Sequence, residues 1–395
     1  MGPLSRIFMP FIIVAIPVAA MLCYMYYAKQ RPRLVAAKNE AAAVSFGTEN
    51  WPIFRGNLAL TGVAEGYLPA SLRMAWRFET AGAIRSTPIT VNQTVYIGSS
   101  DRHLYAIDLR TGQEKWRFGT DDALNASALY ADGTVYIGSD YGTFYAVNTA
   151  DGSLKWTFSA NGKIAGSANI AELSEKHYVI FGSYDNYLYG LNTTDGTLAW
   201  KLQAQSYING SPAVGQGKVV FGACDGQLYS VPLASPQDVQ KIDIEAYMAA
   251  SPAIADNIVY AGNYEGLFLA ASLSGGEVLW RFRQEGVPFV SSPAVTDRYV
   301  LFGGRNKTLY CLNRTDGQMV WTFSAGGRID SSPVVCGDKA IFGADDGRLY
   351  MLALDDGRQV FSYTLGKAVS GGVAVAANMV LVGCEDGAVY AFTAP

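Results

Sequence analysis

Short apolar runs alternate with polar turns along most of the chain, and the pattern repeats. Residues 84–118 show one copy: IRSTPITVNQTVYIGSSDRHLYAIDLRTGQEKWRF. Four apolar or alternating runs, rich in Tyr, Val, Ile and Trp, are divided by turns such as Val91-Asn92-Gln93 and Arg110-Thr111-Gly112. That composition and a period of two residues predict β-strands. A helical period of 3.6 is missing, which excludes a helical solenoid.

The glycine closing the second run recurs at Gly98, Gly138, Gly182, Gly222, Gly262, Gly303, Gly343 and Gly383, in steps of 40 or 41 residues with one of 44. Eight copies of a four-stranded unit predict an all-β fold, an eight-bladed β-propeller of four-stranded blades, spanning residues 51–395. Pro88, Pro212, Pro252, Pro293 and Pro333 share one repeat position in the first strand. Proline has no N–H to donate, so this strand is expected at the edge lining the central channel. Tyr105, Tyr145, Tyr189, Tyr229, Tyr310, Tyr350 and Tyr390 mark the third strand, with Leu269 in the remaining blade. Trp116, Trp156, Trp200, Trp280 and Trp321 mark the outer strand, with Gln240 and Phe361 as exceptions. Their even spacing predicts a structural belt packed between blades. The last copy reaches Pro395 without an outer strand, and Leu72-Arg73-Met74-Ala75-Trp76-Arg77-Phe78 is expected to supply it. Sealing the ring in this way leaves no open edge. Blade four departs most from the repeat, with Val231-Pro232-Leu233-Ala234-Ser235-Pro236 in place of the usual turn.

Residues 7–28 carry no charge. At ~1.5 Å per residue this stretch is long enough to cross a bilayer as one helix. One transmembrane helix is therefore expected before the propeller, within residues 1–28 (a membrane anchor or signal segment), and residues 29–50 read as a linker. An uncleaved anchor competes with a cleaved signal at Val18-Ala19-Ala20 and with a lipoprotein signal at Cys23, where Leu22 is bulky for such a site. The apolar run continues to Tyr27, which favours the anchor. Arg6 precedes the segment while Lys29, Arg31, Arg33 and Lys38 follow it, a bias that would hold the propeller in the cytoplasm.

Formal net charge is -4, with no basic excess to form a nucleic-acid groove, so no nucleic-acid partner is expected. The five cysteines and two histidines are scattered, and neither a disulfide framework nor a zinc site is expected. Asp225-Gly226, Asp346-Gly347 and Asp386-Gly387 read as hairpin turns, not metal loops.

The run Ala106-x-Asp108-x-x-x-Gly112-x-x-x-Trp116 resembles the tryptophan-docking motif of pyrroloquinoline-quinone-like (quinoprotein-like) propellers, and Trp51-Pro52-x-Phe54-Arg55-Gly56 is similar to their lead-in. The resemblance covers residues 51–395. It implies the fold and two branches: quinone-dependent dehydrogenases, and plain eight-bladed scaffolds of the β-barrel-assembly lipoprotein type. The dehydrogenases carry long insertions, a vicinal cysteine pair and a calcium set. Uniform blades and separated cysteines here argue for the scaffold, with no catalytic residue and no cofactor. A ligand-binding sensor is a third alternative.

A protein partner in the cell envelope is expected to dock on the face shared by the loop entering strand one and the hairpin between strands two and three. Entry loops contribute Lys163, Tyr207, Tyr247, Arg328 and Lys367, and the start of the inner strand adds Arg85, Asn125, Asn209 and Asp330. Tyrosine and arginine favour protein interfaces. The hairpin acids Asp101, Asp140, Asp185, Asp225, Glu265, Asp346 and Asp386 are expected to form an acidic outer rim, around a basic and aromatic mouth. The propeller is expected as a monomer, extracytoplasmic despite the charge bias, with possible service to outer-membrane protein assembly.

Overall fold

The computed structural model describes residues 48–173 and 175–395. The expected membrane segment 7–28 and most of the 29–50 linker lie outside the described residues. Among the described residues, no helix is long and apolar enough to cross a membrane.

Alternation along each strand is what shapes the blades. Every blade carries two nearly fully buried middle strands, such as Thr94–Gly98 and His103–Asp108, between a short inner strand and a half-exposed outer one, Glu114–Gly119. Seven sheets have four strands, and the eighth gains a fifth where Val63–Ala64 pairs in parallel with Val334–Cys336. Ring closure follows the sequence pattern: Arg73–Glu79 pairs antiparallel with Ala388–Thr393, with Arg73 opposite Thr393 and Glu79 opposite Ala388. The eighth blade is thus made from both ends of the propeller.

Five of the outer-strand tryptophans reach into the next blade. The indole N–H of Trp116 donates to Thr149 O at 3.0 Å, Trp156 to Thr193 O at 3.1 Å, Trp280 to Arg314 O at 3.0 Å, Trp321 to Leu354 O at 2.8 Å and Trp76 to Leu109 O at 2.8 Å. The ring lies flat on a turn glycine with positive φ, Gly152 beneath Trp116 and Gly317 beneath Trp280, where a Cβ would stand within 3 Å of the indole. This geometry explains the exceptions. The altered turn of blade four offers Trp200 no such glycine, and Trp200 packs on Gly190 of its own blade instead. Gln240 lies against Gly276 of blade five. Phe361 faces blade eight, whose third and outer strands come from opposite ends of the chain, so no turn joins them. Inside the belt, outer-strand Phe78, Phe118, Phe158 and Phe323 meet the third-strand tyrosine of the following blade edge-on, with ring centroids 5.2–5.6 Å apart.

Two devices hold the axis. A ring of hydroxyls joins the inner strands: the amides of Thr87, Ser127, Ser167, Ser211, Ser251 and Ser292 each donate to the side-chain oxygen of Ser127, Ser167, Ser211, Ser251, Ser292 and Ser332 respectively, at 2.7–3.0 Å. Gly372 donates to Thr87 Oγ1 at 2.8 Å but has no hydroxyl of its own to offer Ser332, so the ring is open at that one step. The second device is the lead-in, which crosses the opposite end of the axis and bonds every blade. Trp51 exchanges two bonds with Thr90; the carbonyls of Pro52, Leu58, Ala59, Thr61 and Gly62 accept the amides of Tyr130, Val214, Ile254, Val295 and Val335; Leu58 O also accepts Asn169 Nδ2, and Thr48 O accepts Ala377 N. The fold therefore takes in Thr48 and Asn50, residues the pattern assigns to the linker.

Truncating Trp280 to alanine is predicted to cost about 3–5 kcal/mol, as expected for a large buried ring whose site cannot collapse. Phe361→Trp is predicted to gain nothing, because no turn awaits it. Urea unfolding of the two variants checks both.

Candidate functional site

The eight entry loops and the eight hairpins between strands two and three do share one face. Their register is fixed by one repeated bond, in which the hairpin amide donates to the entry-loop carbonyl: Ser100 to Ala83, Asp140 to Ala123, Tyr184 to Lys163, Cys224 to Tyr207, Tyr264 to Tyr247, Arg305 to Pro288, Asp345 to Arg328 and Glu385 to Ala368. Beneath this mouth lies an axial cavity of about 200 Å3, lined by the hydroxyl ring, by Arg85, Asn125, Asn209 and Asp330, and by Phe54 of the lead-in. Lys163, Tyr207, Tyr247, Arg328 and Lys367 stand on the entry loops around it, and Tyr207, Arg328 and Lys367 are exposed.

The expected basic mouth with an acidic outer rim is not what forms. Arg85 pairs with Glu385 at 3.3 Å, Lys163 with Asp140 at 2.8 Å and Arg328 with Asp345 at 2.7 Å. Asp330 is gripped through both oxygens by Arg305, at 2.8–3.2 Å. Ser100 donates to Asn125 Oδ1 at 3.0 Å and Asn125 to Asp140 at 2.8 Å, so a chain of polar contacts runs across blades one to three. Arg85, Lys163, Arg305 and Arg328 are therefore each held by an acid on a neighbouring loop. Most of the outer acids serve a different end. Asp101, Asp185, Asp225, Asp346 and Asp386 accept the hydroxyl of the third-strand tyrosine four residues on, at 2.7 Å for Tyr105 and 2.6 Å for Tyr189.

The stacked tyrosines of this face lie on blades three to five, while Tyr141 stands exposed on the hairpin of blade two. Tyr184 and Tyr207 stack with centroids 5.1 Å apart and planes 6° from parallel, and Tyr247 and Tyr264 stack at 4.4 Å. Tyr184 Oη donates to Asn209 Oδ1 at 2.7 Å. Arg305 closes the sector, donating to Tyr264 Oη at 2.7 Å. Cys224 belongs to the same sector; burial first, and then the charge of Asp225, push its thiol pKa up, so it is no thiolate nucleophile at neutral pH. Tyr184, Tyr264 and Arg305 were not singled out from the sequence. They occupy the repeat position two residues after Gly182, Gly262 and Gly303, and comparing that column across the blades would have found them.

A larger concavity, about 730 Å3, opens on the opposite face between blades five and seven. Its cations are also neutralised: Arg314 donates to Asp256 at 2.6 Å and Tyr260 Oη at 2.9 Å, and Arg298 lies 3.4 Å from Asp355.

The residues at the axial mouth do not fit a quinone held over a metal ion. Among the described residues no three His, Cys, Asp or Glu side chains come together as metal ligands. The described cysteines, Cys224, Cys311, Cys336 and Cys384, belong to four different blades. The cavity is also below the ~300 Å3 at which small-molecule pockets usually begin.

Asp386 yields a pH prediction. Burial works against its ionisation, but hydrogen bonds from Tyr390, Ala388, Cys384 and Arg77 outweigh it and hold the carboxyl below its ordinary range. In the unfolded chain it titrates near ~3.9. The stability it contributes is therefore complete above about pH 4 and lost as pH falls through the lower folded value. Asp386→Asn is predicted to be less stable at pH 6 and to lose less than the wild type between pH 6 and pH 3, read as urea midpoints.

The model of the family "Outer membrane protein assembly factor BamB" matches residues 66–129, 120–287 and 269–395. Among curated proteins, none matches in sequence. BamB from Moraxella catarrhalis superimposes with a TM-score of 0.69 at 16% identity, over 82% of this chain and 100% of that one. The computationally designed Ika8 protein gives 0.69 at 18% identity, over 82% and 100%. Quinohemoprotein alcohol dehydrogenase from Comamonas testosteroni gives 0.74 at 12% identity, over 87% and 80%. Identities this low speak for the fold alone. The family match spans most of the chain: the chain belongs to the family of the outer membrane protein assembly factor BamB.

Proposed function

We propose that this protein is a non-catalytic scaffold, tethered to a membrane of the cell envelope through residues 7–28, that docks a protein partner on the axial-mouth face and serves outer-membrane protein assembly. The observation carrying this reading is the sector of stacked tyrosines on blades three to five, ending in Arg305, on a face where Arg85, Lys163 and Arg328 are held in ion pairs. Aromatic rings and arginine held on a rigid frame supply contact area at low entropic cost. Family membership supports the assembly role. Short uniform blades, a small axial cavity and a protonated cysteine argue against redox chemistry. Arg85, Asn125, Lys163, Tyr207, Asn209, Tyr247, Arg328, Asp330 and Lys367 are the proposed contact set, to which Tyr184, Tyr264 and Arg305 are added.

Replacing Tyr207, Tyr247 and Arg328 together by alanine is predicted to weaken partner capture by at least about tenfold, since hot-spot truncations cost about 2 kcal/mol or more each. The urea midpoint should hardly move, because Tyr207 and Arg328 are exposed and Tyr247 is only half-buried. Undiminished capture would place the site elsewhere. A fusion of alkaline phosphatase after Pro395, paired with a fluorescent-protein fusion, tests the compartment. Active phosphatase with a dark fluorescent fusion is the predicted result; the reverse would follow the charge bias after residue 28 and exclude the envelope-assembly role.

A further inference from the structure

The axial cavity is bordered by donors that have nothing to donate to. All seven hydroxyl residues of the inner ring, from Thr87 to Ser332, line it, and none is more than 6% exposed. Each side-chain oxygen accepts the amide of the preceding blade's inner strand, and none gives its own proton to an acceptor among the described residues. Buried polar groups in native proteins find partners, so these protons around one space point to an occupant that accepts.

The rim of the cavity has the same bias. Asn125 Oδ1 already accepts from Ser100 Oγ at 3.0 Å, Asn209 Oδ1 from Tyr184 Oη at 2.7 Å, and Asp330 from Arg305 at 2.8–3.2 Å. Asn209 Nδ2, by contrast, donates to nothing among the described residues. Such a lining selects a group that only accepts. An ionised carboxylate is one, and its two oxygens take several donors at once. A cation only donates, and water or an amide brings protons that need acceptors of their own. Size sets the rest. The cavity of about 200 Å3 equals roughly seven waters and falls short of an ordinary small-molecule pocket, so one side chain fits it better than a free ligand. Tyr184, which orients Asn209, is stacked on Tyr207, so the cavity adjoins the aromatic sector directly.

We infer, resting on the docking reading of this face, that the partner inserts one acidic side chain, an aspartate or glutamate, into the axial cavity. Its carboxylate accepts from ring hydroxyls and from Asn209 Nδ2, and these hydrogen bonds favour the charged form where water is displaced. The hydroxyl ring thus has two uses: its oxygens brace the inner strands, and its protons receive the partner.

The test places a charge in the cavity. Ala249 lines it on blade five, at the repeat position that Asp330 holds on blade seven, so aspartate suits that strand. The full-length chain carries a photoreactive phenylalanine at position 207 and is crosslinked in living cells. Ala249→Asp is expected to lower the crosslinked product at least about tenfold by like-charge repulsion, while Ala249→Asn, of the same shape, keeps it within about twofold. Urea midpoints check that both variants fold; if Ala249→Asp does not, Ala165→Asp and Ala165→Asn at the same position of blade three take their place. Crystals of the full-length chain grown with acetate or with acetamide give the second readout. Acetate is expected within hydrogen-bond distance of the ring hydroxyls, and acetamide is expected to leave only water there. A crosslink that survives Ala249→Asp, or is lost equally with Ala249→Asn, overturns the insertion and leaves the docking reading standing. Water alone in acetate, or acetamide bound as well, overturns the choice of a carboxylate. Absence of any crosslink from position 207 in the otherwise unaltered chain removes the docking reading and this inference with it.

Discussion

A four-stranded blade cannot bury both of its faces alone, and at five of the eight junctions the contact that commits one blade to the next is the tryptophan laid on its neighbour's turn. The interaction combines a large apolar area with one hydrogen bond to a carbonyl otherwise left at the end of a strand. It also demands a glycine with positive φ beneath the ring, which couples two repeat positions in adjacent blades. Because each blade depends on the one after it, the array has no natural end until Trp76 reaches Leu109 and Gly112 of blade one. Sealing the ring is therefore the same interaction applied once more, between residues far apart in the chain.

That coupling explains why so much of the fold was legible in the sequence. A period set by glycine, tyrosine and tryptophan revealed blade number, strand order and the closing strand, since the glycine recurs in all eight blades and the two aromatic residues in most of them. Even the irregular positions are lawful: Phe361 lacks indole because blade eight has no turn to receive it. What periodicity cannot tell is which exposed side chains meet. Arg85, Lys163, Arg328 and Asp330 were legible as mouth residues, but not as members of ion pairs, because their partners Glu385, Asp140, Asp345 and Arg305 stand on other loops. The reach of the lead-in across all eight blades was equally hidden, since Trp51 to Gly62 bond mainly through backbone groups that carry no sequence signature.

Pairing of the charges has a consequence for recognition. A mouth where Arg85, Lys163, Arg305 and Arg328 each hold an acid has little long-range field to steer a charged ligand, so selectivity falls to short-range contact. The uneven distribution of aromatic rings then matters. With stacked tyrosines confined to three of eight blades, a near-symmetric ring acquires one distinctive side, which suits an asymmetric partner better than a ligand centred on the axis. On the opposite face the lead-in crosses the axis and bonds every blade, so the two ends of the molecule differ: one is a floor that holds the blades together, the other a rigid rim that presents side chains.

Site-specific photocrosslinking in living cells tests that division most directly. A photoreactive phenylalanine at position 207, on the aromatic sector, is compared with the same residue at position 67, exposed on the lead-in face. The account predicts a discrete crosslinked envelope protein from position 207 and none from position 67. Crosslinks from position 67 with none from position 207 would contradict it, and would place the working surface on the floor of the propeller.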